Sequence, residues 1–134
     1  MELPKGATVA VLDGAAFKLF RNTGDGAGAK LTALEAPTVS GDNKGSGARH
    51  ASSAANPDDS RLEEDSFVVA ATEWLNASAQ SGGISALAIV AAPKSLGEMR
   101  KHYHSALKSK LVGELAKDLA GRPIPEIEAA LDRA

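Results

Sequence analysis

Apolar and polar positions along the chain change period several times, and each change marks an element. Thr8-Val9-Ala10-Val11-Leu12 is a short apolar run closed by Asp13-Gly14, the pattern of a buried central strand ending in a turn. From Ala15 to Arg21 the pattern alternates, with Phe17 and Leu19 on one face and Lys18 on the other. This predicts a second strand, paired with the first as a hairpin through the Asp-Gly turn. Thr23 to Ala29 is glycine-rich and turn-like, and Lys30 to Glu35 predicts a third, edge strand stopped by Pro37.

The period becomes helical further on. Ser60-Arg61-Leu62-Glu63 has the form of a capping box, and Asp58, Asp59, Glu63, Glu64 and Asp65 put negative charge at the positive end of a helix dipole. Phe67, Ala70, Ala71, Trp74 and Ser78 then recur at helical spacing, with Val68 and Leu75 widening the stripe, until Gln80-Ser81-Gly82-Gly83 stops the helix. Ile84 to Ala91 is a continuous apolar run, a second central strand parallel to the first. Pro93 suits the first turn of another helix, which carries Leu96, Met99, Tyr103 and Leu107 on one side. Lys110 to Leu119 is ambiguous. Leu111, Leu115 and Leu119 favour a helix by spacing, while Leu111, Gly113 and Leu115 also alternate as a strand would. Pro125 opens a last amphipathic helix with Ile127 and Leu131 inward. This order of elements calls for a sheet with helices on both faces.

The 23 residues from 36 to 58 stand apart. They hold three Gly, four Ser, two Pro and two Asn, and Val39 is their one apolar residue larger than alanine. Such a loop cannot bury enough surface to offset its ordering entropy, so it is either functional or disordered.

At 134 residues the chain has the size of a single domain, 1–134. With no cysteine, disulfides, thiolate zinc sites and cysteine nucleophiles are excluded. A net charge of −2 excludes a uniformly basic nucleic-acid binder but leaves local basic patches open, and five aromatic residues are too few for a base-stacking platform. The early residues lack a charged region followed by a long apolar run, and no stretch reaches the roughly 18 apolar residues of a membrane span. These observations predict a cytoplasmic protein without membrane insertion.

Several motifs have plain readings. Gly24-Asp25-Gly26-Ala27-Gly28-Ala29 fits a dinucleotide-binding pattern, but Pro37 leaves no room for the helix that must follow, so it reads as a hairpin loop. Asp13 ends the first strand, where metal-dependent nucleases of ribonuclease-H type carry a ligand. The other central strand ends in Ala91-Ala92-Pro93 without an acid, so Asp13 reads as setting the turn. His102 and His104 are spaced for different faces of a helix, and His50 is distant. Asn76-Ala77-Ser78 matches the N-glycosylation pattern, yet falls mid-helix in a chain without a secretion signal.

Charge is unevenly spread. Residues 94–110 carry Lys94, Arg100, Lys101, Lys108 and Lys110 against Glu98, a net of +4, whereas residues 58–66 carry −4. A basic helix can meet phosphate or an acidic partner, or it can be a solvated face. Arg49-His50 differs in placing phosphate-competent donors within the long loop.

These residues together carry a resemblance. Val11-Leu12-Asp13-Gly14-Ala15, with Lys18 where arginine is usual, is followed by Gly47-Ala48-Arg49-His50-Ala51 and Asn56-Pro57-Asp58. Ala91-Ala92-Pro93-Lys94-Ser95-Leu96-Gly97-Glu98-Met99-Arg100 and Lys117-Asp118-Leu119 complete the series. The ordered set resembles the bacterial host-attachment protein family, itself similar to the middle domain of archaeal and eukaryotic peptide-chain release factors. The resemblance implies a ribonuclease-H-like three-layer α/β/α domain with a five-stranded mixed sheet of order 3-2-1-4-5. It makes Leu111 to Leu119 the fifth strand, against the helical spacing.

Function follows less directly. The release-factor domain hydrolyses peptidyl-tRNA through a Gly-Gly-Gln loop, whereas the one glutamine here is Gln80, in Gln-Ser-Gly-Gly. The resemblance therefore implies a non-enzymatic binding protein without a cofactor. Its expected partner is RNA or the ribosome, met through Arg49, His50, Lys94, Arg100 and Lys101, with Asp13 and Lys18 as further functional positions. The family name implies instead a protein partner in attachment to host cells. A metal-dependent hydrolase centred on Asp13 is the third class.

Overall fold

The computed structural model describes residues 1–24, 28–39 and 57–134. In chain order the elements are β1 (Thr8–Leu12), β2 (Phe17–Asn22), β3 (Leu31–Leu34), α1 (Pro57–Ser81), β4 (Leu87–Ala91), α2 (Pro93–Arg100), α3 (Ser105–Lys110), β5 (Leu111–Ala116) and α4 (Ile124–Arg133). The sheet order is β3-β2-β1-β4-β5. β2 runs antiparallel to both its neighbours, and β1, β4 and β5 are mutually parallel. This is the mixed sheet the resemblance implies.

The two continuous apolar runs take the centre because both their faces are covered. Every residue of β1 and β4 is buried. Ala10, Leu12, Leu87 and Ile89 face one layer, where Leu75 of α1, Leu96 and Met99 of α2 and Leu107 of α3 close over them. Val9, Val11, Ala88 and Val90 face the other, under Ile127 and Leu131 of α4. Burying each of the Val, Leu, Ile and Met side chains fully is worth about 1.5–3 kcal/mol, which holds the layers together. Trp74 on α1 meets Phe17 edge to face, with ring centroids 6.0 Å apart and planes at 71°.

Four local readings are corrected. α1 starts at Pro57, ahead of the capping box read at Ser60, because proline at the first helical position gives up no hydrogen bond. The second central strand begins at Leu87, not Ile84.

The helix read from Pro93 through Leu107 is two helices. Asn76, only 2 % exposed on α1, donates from Nδ2 to the His102 carbonyl at 2.9 Å and accepts at Oδ1 from the His104 amide at 2.9 Å. Those two bonds take backbone groups that a continuous helix would use itself, so residues 101–104 form an elbow.

The helical spacing over Lys110 to Leu119 is the fourth. α3 ends at Lys110 and β5 occupies Leu111–Ala116. A register shift against β4 inserts Val112 as an extra residue. Leu111 thereby packs on the α1 layer and Leu115 on the α4 layer, although they are four apart. The bulge produces a spacing that imitates a helix.

The edges of the sheet differ. Beside β3, Glu128 Oε2 of α4 accepts from the Leu31 amide and Asp132 Oδ1 from the Ala29 amide, both at 2.8 Å. β5 forms the other edge, and among the described residues it pairs only with β4. The connection from β2 to β3 closes with Thr23 N donating to Lys30 O at 2.8 Å, and Asn22 Oδ1 accepts from Gly24 N and Lys30 N. Of the glycine-rich motif read there as a hairpin loop, residues 25–27 lie outside the described residues. No helix among the described residues is long and apolar enough to cross a membrane.

Candidate functional site

In an open α/β sheet, ligands gather outside the carboxyl ends of parallel strands, where neighbouring connections leave in opposite directions. Here that place lies between β1 and β4. The chain leaves β1 toward β2 on one side and leaves β4 toward β5 on the other.

Asp13 and Gly14 stand at the end of β1. Asp13 Oδ1 accepts from the amides of Ala15 and Ala16, both at 2.8 Å, and Asp13 N donates to Ala16 O at 3.0 Å. The carboxylate thus organises the hairpin turn. Gly14 lets α1 approach closely, since a Cβ there would lie 2.9 Å from Glu64 Cγ. On the neighbouring strand end, Ala92 N reaches Leu12 O at 3.4 Å, and α2 starts at Pro93 with Lys94 exposed in its first turn. Lys18 is exposed on β2 opposite Val11, on the α4 side of the sheet. Asp13 and Lys94 therefore share the carboxyl ends of adjacent strands, with Lys18 at the hairpin beside them.

Arg100 and Lys101 are elsewhere. They follow Lys94 by six and seven residues along α2, about 9–10 Å of helical rise. Both are engaged. Arg100 donates from Nε and Nη2 to Glu114 Oε1 at 3.0 and 2.6 Å, and Tyr103 OH donates to Glu114 Oε2 at 2.7 Å. Lys101 Nζ and His102 Nε2 both meet Glu98, at 3.2 and 3.1 Å, and His104 lies 3.7 Å from Glu73. Within the +4 segment Arg100 is thus paired with Glu114 and Lys101 with Glu98, while Lys94 and Lys108 remain exposed with no carboxylate within 4.0 Å among the described residues. Arg49 and His50 lie outside the described residues, in the segment that joins the carboxyl end of β3 to the start of α1.

Electrostatics follow the geometry. Hydrogen bonds from His102 and Lys101 hold the Glu98 carboxyl below its usual range. Burial pushes Glu114 up, but the hydrogen bonds from Arg100 and Tyr103 outweigh it and leave the group lowered. Burial, reinforced by the bond to Glu114, pushes the Tyr103 phenol well above its usual range. Among the described residues no group of three or more His, Asp or Glu side chains could hold a metal ion. A cleft of about 750 Å³ lies beside Met1–Pro4, Asn22, Ala29 and Asp132. Asn22 already spends its amide on Leu3 O, Pro4 O, Gly24 N and Lys30 N, so this cleft belongs to the packing of the amino-terminal segment.

Sequence reasoning missed Asn76, Glu114 and Tyr103 as partners. One signal was present for Asn76: it follows Thr72 by one turn and adjoins Leu75, so a helix burying Leu75 brings it to the boundary of the core.

Residues 6–131 match the family described as bacterial archaeo-eukaryotic release factor family 12. The chain belongs to that family. The matched span runs from ahead of β1 to within α4, so the family pattern covers the whole sheet. No curated protein matches the chain. Within this release-factor-related frame, Gln80 lies exposed near the end of α1. α1 leads there into β4, which places Gln80 at the amino ends of the parallel strands, away from Asp13 and Lys94.

Proposed function

We propose that this member of the release-factor family acts by binding, as an RNA- or ribosome-associated domain that lacks release chemistry. The observation that carries the reading is the pairing of family membership over residues 6–131 with the position of the one glutamine, Gln80, at the wrong edge of the sheet. The binding surface is the carboxyl edge. Lys94 and Lys18 contribute cations beside the Asp13 turn, and Arg49 and His50 belong to the segment that leaves the same edge. Arg100 and Lys101 contribute only by exchanging Glu114 and Glu98 for phosphate, so they are secondary contacts. Attachment to host cells would call for a protein or glycan partner instead, and membership of a release-factor family favours RNA or the ribosome over both.

The test is a titration of purified protein with RNA and with intact ribosomes at low and physiological salt. Binding is expected to weaken as salt rises, because released counterions drive phosphate contacts. Replacing Arg49, His50 and Lys94 by alanine should weaken it further, whereas R100A should change it little. Absence of binding at low salt, or binding indifferent to the triple substitution, overturns the reading.

A further inference from the structure

We infer that the open edge of β5 is a docking site for an extended acidic segment of another protein, which would add a sixth strand to the sheet. This surface is separate from the carboxyl edge and stands without the RNA-binding reading.

The two edge strands are treated differently. β3 is four residues long, Pro37 follows it closely, and Glu128 and Asp132 of α4 cap amides at its start. Such devices prevent an edge from recruiting another strand. β5 has the sequence Leu-Val-Gly-Glu-Leu-Ala, with no proline and no lysine, and beyond the bulge at Val112 its residues Gly113 to Ala116 pair regularly with β4, about 13 Å of edge. Val112 is 42 % exposed, one of two large apolar residues so exposed among the described residues. The one charge within the strand, Glu114, is already satisfied by Arg100 and Tyr103, so an incoming strand meets no unpaired carboxylate there.

Charge around the strand decides what fits. Lys108 and Lys110 precede β5 and Lys117 follows it, opposed by Asp118, which leaves the surroundings with a net of two positive charges. Lys108 and Lys117 are exposed, and neither has a carboxylate within 4.0 Å among the described residues. Lys110 Nζ is fixed on the Ala79 carbonyl at 2.7 Å, at the end of α1, so its charge stays in place. A second copy pairing β5 with β5 would bring these lysines toward one another. An extended segment carrying glutamate or aspartate would gain main-chain hydrogen bonds from the edge and charge complementarity from its ends.

The experiment uses the full chain, labelled for amide NMR, with a capped peptide of alternating threonine and glutamate as probe and its threonine–lysine counterpart as control. The acidic peptide is expected to perturb the amides of Leu111 to Ala116 and to bind more weakly as salt rises. V112P should abolish the effect. The surface variant K108E/K117E, which leaves the strand intact, should weaken binding about tenfold, a size set by two reversed exposed charges. It carries the test if V112P does not fold. Equal binding of the lysine peptide, perturbations away from β5, or no binding up to about millimolar peptide each overturns the proposal. So does concentration-dependent self-association that V112P removes, since the edge would then belong to a second copy.

Discussion

Replacing Asn76 by alanine tests whether one side chain makes the elbow between α2 and α3. The substitution removes the donor to the His102 carbonyl and the acceptor for the His104 amide, both at 2.9 Å. Both bonds are partly buried, so two backbone groups lose partners that water replaces only in part. At about 1–1.5 kcal/mol for each such group, the fold should lose about 2–3 kcal/mol. A 134-residue chain with about 2 cal/mol/K of unfolding entropy per residue would then melt about 7–11 °C lower. Urea unfolding followed by the fluorescence of Trp74 measures the loss, and an unchanged slope shows that the native state is otherwise intact. Amide exchange at His104 should accelerate by more than the global change. A loss below about 1 kcal/mol, with exchange at His104 unaltered, refutes the assignment of the elbow to Asn76.

Two further outcomes follow from contacts already described. Tyr103 is the one tyrosine, so tyrosinate absorbance reports it alone. Burial, with the bond to Glu114, raises its pKa above the usual 10.0, so its contribution to stability is complete below about pH 10 and is lost as pH climbs toward the folded-state value. The native protein should show no ionisation at pH 10, where the unfolded chain is half ionised; an ordinary native midpoint would contradict the burial described. Substituting Gly14 by alanine puts a Cβ 2.9 Å from Glu64 Cγ and should cost about 1 kcal/mol. Shortening Glu64 to alanine in the same chain should restore only part of that loss, because the Glu64 Cβ itself lies 3.0 Å away, and simple additivity of the two changes in urea unfolding would refute the contact.

How much of this was legible in the sequence depends on the range of the interaction that decides each element. The apolar runs of β1 and β4, the alternation of β2 and the stop at Gly82 are local patterns, and each predicted its element to within a few residues. Asp13 was readable as a turn former because its carboxylate acts on amides two and three residues away. Lys110 to Leu119 was not readable by spacing, because the bulge at Val112 exists only against β4. The elbow at residues 101–104 depends on Asn76, which is 26 residues upstream of His102. The charge count over residues 94–110 overstated the free charge for the same reason: Glu114 lies outside that window but pairs with Arg100 in three dimensions. The carboxyl-edge placement of Asp13 and Lys94 needed the pairing of β1 with β4, which joins residues nearly eighty positions apart.

The buried amide of Asn76 also has a meaning for making the protein. Asn-Ala-Ser is an acceptor for N-linked glycan, and glycan transfer in a eukaryotic secretory pathway acts on the nitrogen that here donates to His102. A sugar at a position only 2 % exposed cannot coexist with the elbow. Secretion from such a host therefore sets glycan transfer racing against closure of α1 over the sheet. The yield should split into a folded, unmodified form and a modified form that never closes, whereas bacterial expression faces no such competition.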